Sequence, residues 1–202
     1  MACLSCDSGD MTNQPDPRPA FLRSVAIATN IVGAVRPDQL LDATPCDEFN
    51  VQELVGHMVA VLERIIVIGS LGDPNEVTRM VGLNDKSILT EWLTRAGKAA
   101  QVWSDQTLLG TIVTLPFAKL PGAAAMAIYC SELTVHGWDL AQATGQTVQW
   151  DDDVCSLSMG AMKMALPPDL PRDAELPFSA QVHVAADAPL IDQLVAWTGR
   201  KP

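Results

Sequence analysis

A long apolar helix with a marked beginning constrains the fold of this chain more than any other feature. Asn50 is a residue type that caps helices, and Glu53 three positions later completes a capping box. Because Gly72-Asp73-Pro74 interrupts the pattern, the sequence predicts a helix over residues 51–71. His57 shares the apolar face of this helix and is therefore predicted to point inward.

Three more helices are predicted from apolar residues at helical spacing. They cover residues 20–36, 85–104 and 122–145. Residues 111–120 are rich in β-branched side chains and bounded by glycines, which predicts one short hairpin. The predicted fold is therefore mostly α, a four-helix bundle with a short extended insertion.

The chain after Trp150 has a different character. Acidic residues 151–153 can cap a short helix over 154–166. Residues 178–184 have the pattern of a short strand, and residues 188–200 that of a final amphipathic helix. This part is predicted to be a small α/β appendage.

These patterns divide the chain into three segments. Residues 1–18 are predicted to be a disordered tail, residues 19–148 the bundle, and residues 149–202 an appendage packed on it. The tail holds Cys3 and Cys6 in a C-x-x-C arrangement. With no second such pair and no strand–helix unit after it, this arrangement does not predict a zinc or redox site.

Two residues one helical turn apart indicate a metal site. Glu132 and His136 are separated by four positions, which places both side chains on one face of the predicted last bundle helix. His57 could supply a third ligand from a facing helix. Two imidazoles and one carboxylate leave coordination positions open, as reactive metal sites do. Taken singly, each residue is also explained as a core histidine or an ordinary helix pair.

Charge and cysteine content restrict the partners and the compartment. The net charge of −11 argues against binding to nucleic acid or to anionic membrane surfaces. No apolar run is long enough to span a bilayer, and the first residues are too polar for a signal peptide. An odd number of cysteines, five, then favours the reducing cytoplasm over a disulfide framework.

Four stretches of the chain resemble one known family. They are Thr44-Pro45-Cys46, residues 51–58 (VQELVGHM), residues 135–145 (VHGWDLAQATG) and residues 188–194 (APLIDQL). Together they resemble the mycothiol-dependent maleylpyruvate isomerase N-terminal-domain family, one of the DinB/YfiT-like metal-dependent four-helix bundles. The resemblance covers nearly everything from Phe21 onward.

The resemblance implies a DinB-like bundle that holds a divalent metal through His57, Glu132 and His136. Zinc is the first expectation, with nickel or iron as alternatives. Members of the family use such a metal to activate a low-molecular-weight thiol, mycothiol in actinobacteria, toward an electrophilic small molecule. Phe49 stands where the family usually has tryptophan, and the part after Trp150 is shorter than the C-terminal domain of the characterised isomerase. The resemblance therefore implies metal and thiol chemistry more directly than maleylpyruvate isomerisation.

Other polar residues near these motifs are not counted among the predicted metal ligands. Asp139 is placed to accept an imidazole N–H from His136 or to face solvent. Cys130 is predicted to be a core thiol. Cys46, in the loop before the His57 helix, could approach the site, but a buried structural thiol is the simpler prediction. His183 lies in the predicted C-terminal strand and is not expected at the metal.

Three functions remain open at the level of the sequence. The first is a metal-dependent thiol transferase or isomerase, whose partners are a small thiol and an electrophile. The second is a metal-dependent hydrolase, for which Asp139 is the one obvious general base. The third is a metal-binding or stress-response module without catalysis. Apolar positions on the predicted third helix could also support a homodimer.

Overall fold

The structure is a computed structural model that describes residues 16–172 and 178–202. These residues form six α-helices and one two-stranded hairpin, so the predicted mostly α fold is confirmed. The helices are α1 Arg18–Gly33, α2 Val51–Gly69, α3 Ile88–Val102, α4 Gly122–Thr144, α5 Asp152–Ala165 and α6 Leu190–Trp197. The strands β1 Ile112–Thr114 and β2 Lys119–Pro121 pair antiparallel, as predicted for the insertion.

Helices α1 to α4 enclose one apolar core. Two tryptophans of the α3 region are fully buried in it, and each indole N–H has a partner. Trp92 donates to the hydroxyl of Thr29 at 2.8 Å, and Trp103 donates to the carbonyl of Ile65 at 2.9 Å. A buried N–H group without a partner would destabilise the fold, so these bonds allow both indoles to be buried. The two tryptophans thereby connect α3 to α1 and α2.

The predicted start of α2 is confirmed in detail. The side chain of Asn50 accepts from the backbone N–H of Glu53 at 2.9 Å, and the Glu53 carboxylate accepts from the N–H of Asn50 at 3.0 Å. The helix ends at Gly69, slightly before the predicted Leu71, where the backbone turns to a positive φ of 60°. Helix α2 therefore begins at Val51, which places His57 in its second turn.

Helix α4 lies between two apolar clusters. One of its faces packs into the bundle core, while Val135 and Trp138 pack against α5 and α6. Burial on both sides explains why its sequence shows no single apolar stripe. The helix closes at Gly145, whose φ of 66° suits a residue without a side chain.

The C-terminal part follows the prediction in its helices and departs from it in its strand. The Asp151 carboxylate caps α5 by accepting from the N–H of Val154 at 3.0 Å. Within the described residues 178–202 no strand is formed, so the strand predicted for 178–184 is wrong. Its backbone pairs instead with a helix end, because Val182 donates to the carbonyl of Ala196 at 2.9 Å.

Several predictions are not tested by this architecture. Residues 1–15, with Cys3 and Cys6, lie outside the described residues. The division at residues 148 and 149 remains a prediction, as does a homodimer, although Leu89 and Leu93 on α3 are exposed. In the described ranges, no helix combines the length and hydropathy needed to cross a bilayer.

Candidate metal centre

Helices α2 and α4 bring the three predicted ligands together. One ligand atom each from His57, Glu132 and His136 lies within 4.8 Å of the other two. Glu132 Oε2 is 3.4 Å from His136 Nε2 and 4.0 Å from His57 Nε2. The two imidazole rings meet edge to face, with 5.0 Å between centroids. The carboxylate therefore lies beside the Nε2 atoms of both histidines.

The outer nitrogens of both imidazoles have partners of their own. His57 Nδ1 lies 2.9 Å from the backbone carbonyl of Arg79, and His136 Nδ1 lies 3.0 Å from Asp139 Oδ2. Each Nδ1 must donate to its oxygen, which leaves each Nε2 lone pair for a ligand when the ring is neutral. Histidines that bind metals are oriented by bonds of this kind. The donor set and its orientation thus fit a divalent cation.

Asp139 connects the site to the end of the chain. Its carboxylate is fully buried and receives two bonds from Arg200, Nε to Oδ1 at 2.9 Å and Nη2 to Oδ2 at 2.7 Å. Parallel bonds between a guanidinium and a carboxylate are strong and fix both groups. Its position three residues after His136 pointed to Asp139 in the sequence, but no pattern pointed to Arg200, which is 61 positions away.

Charges in the site shift the pKa values of Glu132 and His136, the two predicted ligands on α4, in opposite directions. Burial alone would raise the pKa of Glu132, but the bond and the charge of His136 lower that pKa to about 2. Burial alone would lower the pKa of His136, but its bonds to Asp139 and Glu132 raise that pKa to about 9. In the absence of a metal, His136 is therefore an imidazolium between two carboxylates at neutral pH.

The protonation states of His57 and Asp139 follow from their surroundings in the same way. Burial, together with the charge of His136, lowers the pKa of His57, so this ring is neutral at pH 7. Burial opposes the charge of Asp139, but its bonds to His136 and Arg200 hold the pKa of Asp139 below the ordinary value. Replacing the His136 proton with a metal ion is then the one protonation change that binding requires near neutrality.

A cavity of about 160 Å³ opens beside the three predicted ligands. Phe49, Val135, Met162 and Phe178 form apolar parts of its wall. The Arg79 guanidinium also lines it, pairs with Glu48 and lies 5.1 Å from the centroid of the Phe49 ring. The cavity is therefore a space through which a small molecule could reach the predicted ligands on α2 and α4.

Cys46 approaches the site, the alternative that the sequence left open, and is not the buried structural thiol that was the simpler prediction. It is half-buried, lines the cavity, and has its sulfur within 4.8 Å of ligand atoms of His136 and Asp139. Burial raises the pKa of Cys46, which keeps it a thiol. Because the positive Arg200 already occupies both oxygens of Asp139, this second group is a poor place for a cation. Cys130, by contrast, is buried as predicted.

The sequence signature of the family described as "Mycothiol maleylpyruvate isomerase N-terminal domain" matches residues 21–141. The chain belongs to this family. His57, Glu132, His136 and Asp139 all fall within the part that characterises the mycothiol maleylpyruvate isomerase N-terminal domain, whereas Arg200 falls outside it.

Relatives extend the similarity to nearly the whole chain. Two proteins of Mycobacterium tuberculosis, from strains CDC 1551 / Oshkosh and ATCC 25618 / H37Rv, are each 25% identical to it over 187 residues. This span is 92% of the present chain and 98% of each relative, and both relatives are described as uncharacterized. No solved structure shows a significant match.

Proposed function

We propose that this protein is a metal-dependent thiol transferase or isomerase. His57, Glu132 and His136 would hold a divalent cation, with zinc expected first and nickel or iron as alternatives. The cosubstrate would be a low-molecular-weight thiol of the mycothiol type. The observation that carries the proposal is the convergence of both Nε2 atoms and one carboxylate at an open cavity. Membership in a mycothiol-associated family supports the choice of thiol.

The chemistry follows from the donor set. A bound dication stabilises a thiolate over a thiol, and the thiolate is the nucleophile. The protein contributes two imidazoles fixed through Nδ1, both neutral once a metal has replaced the His136 proton. It also contributes one carboxylate that is ionised across the physiological range, because the pKa of Glu132 is about 2. Asp139 and Arg200 prevent the His136 ring from turning away when a substrate enters.

The cavity wall suits an electrophile that reacts with a thiolate. Phe49, Val135 and Phe178 exclude water from one side, which protects a thiolate from solvation and strengthens local electrostatics. The polar pair Arg79 and Glu48 also lines the cavity, where polar parts of a thiol or its partner can make hydrogen bonds. We place the reaction in the cytoplasm, because low-molecular-weight thiols are kept reduced there.

The alternative function, a metal-dependent hydrolase, would need Asp139 as its general base, and the surroundings of Asp139 do not suit that role. Asp139 is fully buried, and its oxygens are engaged by His136 and Arg200. Accepting a proton from water would require this carboxylate to give up bonds that lower its pKa. Asp139 is therefore poorly suited to act as a general base toward water. This supports the proposal that the metal activates a thiol instead.

The first experiment measures bound metal by elemental analysis of purified protein. We compare the wild type with His57→Ala, Glu132→Ala and His136→Ala, and use His183→Ala, an exposed histidine, as the matched control. The expected result is near-stoichiometric metal in the wild type and the control, with a sharp loss in the other three. Equal metal content in all five proteins would show that the assigned site is wrong.

The second experiment tests turnover with the metal-loaded wild type. An activated aryl halide is added with mycothiol, and with no thiol, and conjugate formation is followed by absorbance. Thiol-dependent turnover that is lost in His136→Ala is the expected result. Tight metal binding without turnover of any thiol or electrophile in a panel would indicate a binding module, and thiol-independent cleavage of an ester would indicate a hydrolase.

A further inference from the structure

Residues 78–83, which we name the strap, run along α2 and are bonded to it through their backbone. Arg64 Nη2 donates to the carbonyl of Thr78 at 3.2 Å, and Val81 donates to the carbonyl of Gly56 at 3.1 Å. Gln52 donates to the carbonyl of Leu83. Between these bonds lies the one from His57 Nδ1 to the carbonyl of Arg79. The strap thus holds the acceptor of a proposed metal ligand in a fixed register.

Gly56 is what allows the strap to lie so close to the helix. A methyl group at this position would overlap the carbonyl oxygen of Val81 and come within 3.0 Å of Met80 Cγ. Since Val81 O is a backbone atom, the overlap cannot be relieved by turning a side chain. Any side chain at residue 56 must move the strap, and with it the carbonyl of Arg79.

The strap controls which nitrogen of His57 carries the proton. A neutral imidazole has one N–H and one lone pair, and the bond made by one nitrogen determines the role of the other. The carbonyl of Arg79 can only accept, so it holds the proton on Nδ1 and leaves Nε2 bare beside Glu132. With the carbonyl displaced, this bond no longer holds the proton on Nδ1, and the proton can reside on either nitrogen.

We propose that the strap is a positioning element for metal binding, and that Gly56 and Gln52 are positioning residues that act through it on His57. This inference rests on the metal site proposed above. It adds that ligand orientation on α2 depends on a connecting segment outside the helix. In this chain, affinity for the metal is therefore set partly by residues that do not touch it.

The test uses Gly56→Ala and the milder Gln52→Ala in the full-length protein. Gly97→Ala is the matched control, because it is also a helical glycine but a methyl group there meets no atom within 4 Å. Alanine favours the helix over glycine at both positions, so a weakened helix cannot explain an effect at Gly56. Two quantities are measured: the ring nitrogen signals of His57 by nitrogen-15 NMR in metal-free protein, and zinc affinity by competition with a chromophoric chelator.

The expected result is an Nδ1-protonated His57 in the wild type and in Gly97→Ala. The signals should shift toward mixed protonation in Gly56→Ala, and less so in Gln52→Ala. Zinc affinity should fall by about tenfold or more in Gly56→Ala, in the range typical for groups that orient a metal ligand. Wild-type ring signals in both variants would overturn the inference. If the wild type binds none of zinc, nickel and iron, the proposed function fails, and the metal-free NMR comparison still decides the role of the strap.

Discussion

His136 and Asp139, three residues apart on α4, share a hydrogen bond of 3.0 Å between Nδ1 and Oδ2. Because Asp139 is also bonded twice by Arg200, the three residues form a chain from the C-terminal part to the proposed metal site. These hydrogen bonds fix the orientation of the His136 ring, which the three predicted metal ligands by themselves would not do.

The first prediction concerns Asp139→Asn. The amide can still accept from His136, but the negative charge that supports the ring is lost. We expect metal affinity to fall about 10- to 100-fold, the range observed when groups behind a metal ligand are changed. Chelator competition measures the change, and Asp153→Asn, at an exposed acid of α5, is the control that should keep wild-type affinity. Equal affinities for the two variants would contradict the role of Asp139.

The second prediction concerns the stability of the buried pair. Arg200→Met removes both bonds of the guanidinium to the fully buried Asp139 carboxylate, which keeps only its bond to His136. Breaking a buried pair costs about 3–5 kcal/mol when the remaining charge has no partner; because His136 still pairs with Asp139, the free energy of unfolding should fall by about 3 kcal/mol, the lower end of that range. Urea denaturation of metal-free protein measures it, and the double variant with Asp139→Asn should lose less than the sum of the two single variants.

A surface pair supplies the control for this stability measurement. Arg36 is bonded to Asp38 with its side chain 61% exposed. Arg36→Met should change the free energy of unfolding by less than about 1 kcal/mol, as is usual for exposed ion pairs. If Arg200→Met were equally mild, the bond between Arg200 and Asp139 would not persist in solution.

The third prediction is that metal binding releases a proton. At pH 7.5, His136 is protonated in metal-free protein because its pKa is about 9, while Glu132, with a pKa of about 2, is already ionised. A metal must displace the His136 proton, so affinity should increase with pH until about 9. Calorimetry in two buffers of different ionisation enthalpy should report release of about one proton per metal. A value near zero would mean that His136 is neutral or does not bind the metal.

The fourth prediction is a pH dependence of stability in metal-free protein. The folded-state pKa of His136 lies near 9, above its ordinary value of 6.5. The folded protein then holds a proton that the unfolded chain releases first, so this stabilisation is complete below pH 6.5 and is lost as pH rises through about 9. Urea midpoints between pH 6 and 9.5 should fall for the wild type. The decline should be weaker for His136→Asn and unchanged for His183→Asn.

The fifth prediction separates the stability of α2 from the metal site. Asn50→Ala removes the side chain that caps this helix by accepting from Glu53. The free energy of unfolding should fall by about 1 kcal/mol, the usual effect of losing such a cap. Metal affinity should stay near the wild-type value, because His57 lies in the second turn and is held by the Arg79 carbonyl. A large loss of affinity would show that the cap positions the ligand.

Local spacing was enough to predict the helices, and the tertiary structure brings the three ligand candidates to one place. The Asn50 cap, the hairpin and the end of α4 at Gly145 depend on bonds between residues close in sequence. The same holds for the pairing of Glu132 with His136, since one helical turn joins them. The predicted strand at 178–184 failed because its pattern did not reveal that its neighbour is the end of α6.

By itself, the sequence determined the four bundle helices, the face that Glu132 and His136 share, and the family to which the chain belongs. Only the tertiary structure decided that Arg200 holds Asp139, that Cys46 lines the cavity, and that the strap carbonyl of Arg79 meets His57. The physical reason is the separation along the sequence of the residues that are in contact. Helical geometry fixes neighbours three or four residues apart, whereas contacts between distant segments depend on how helices and loops pack to bury their apolar faces.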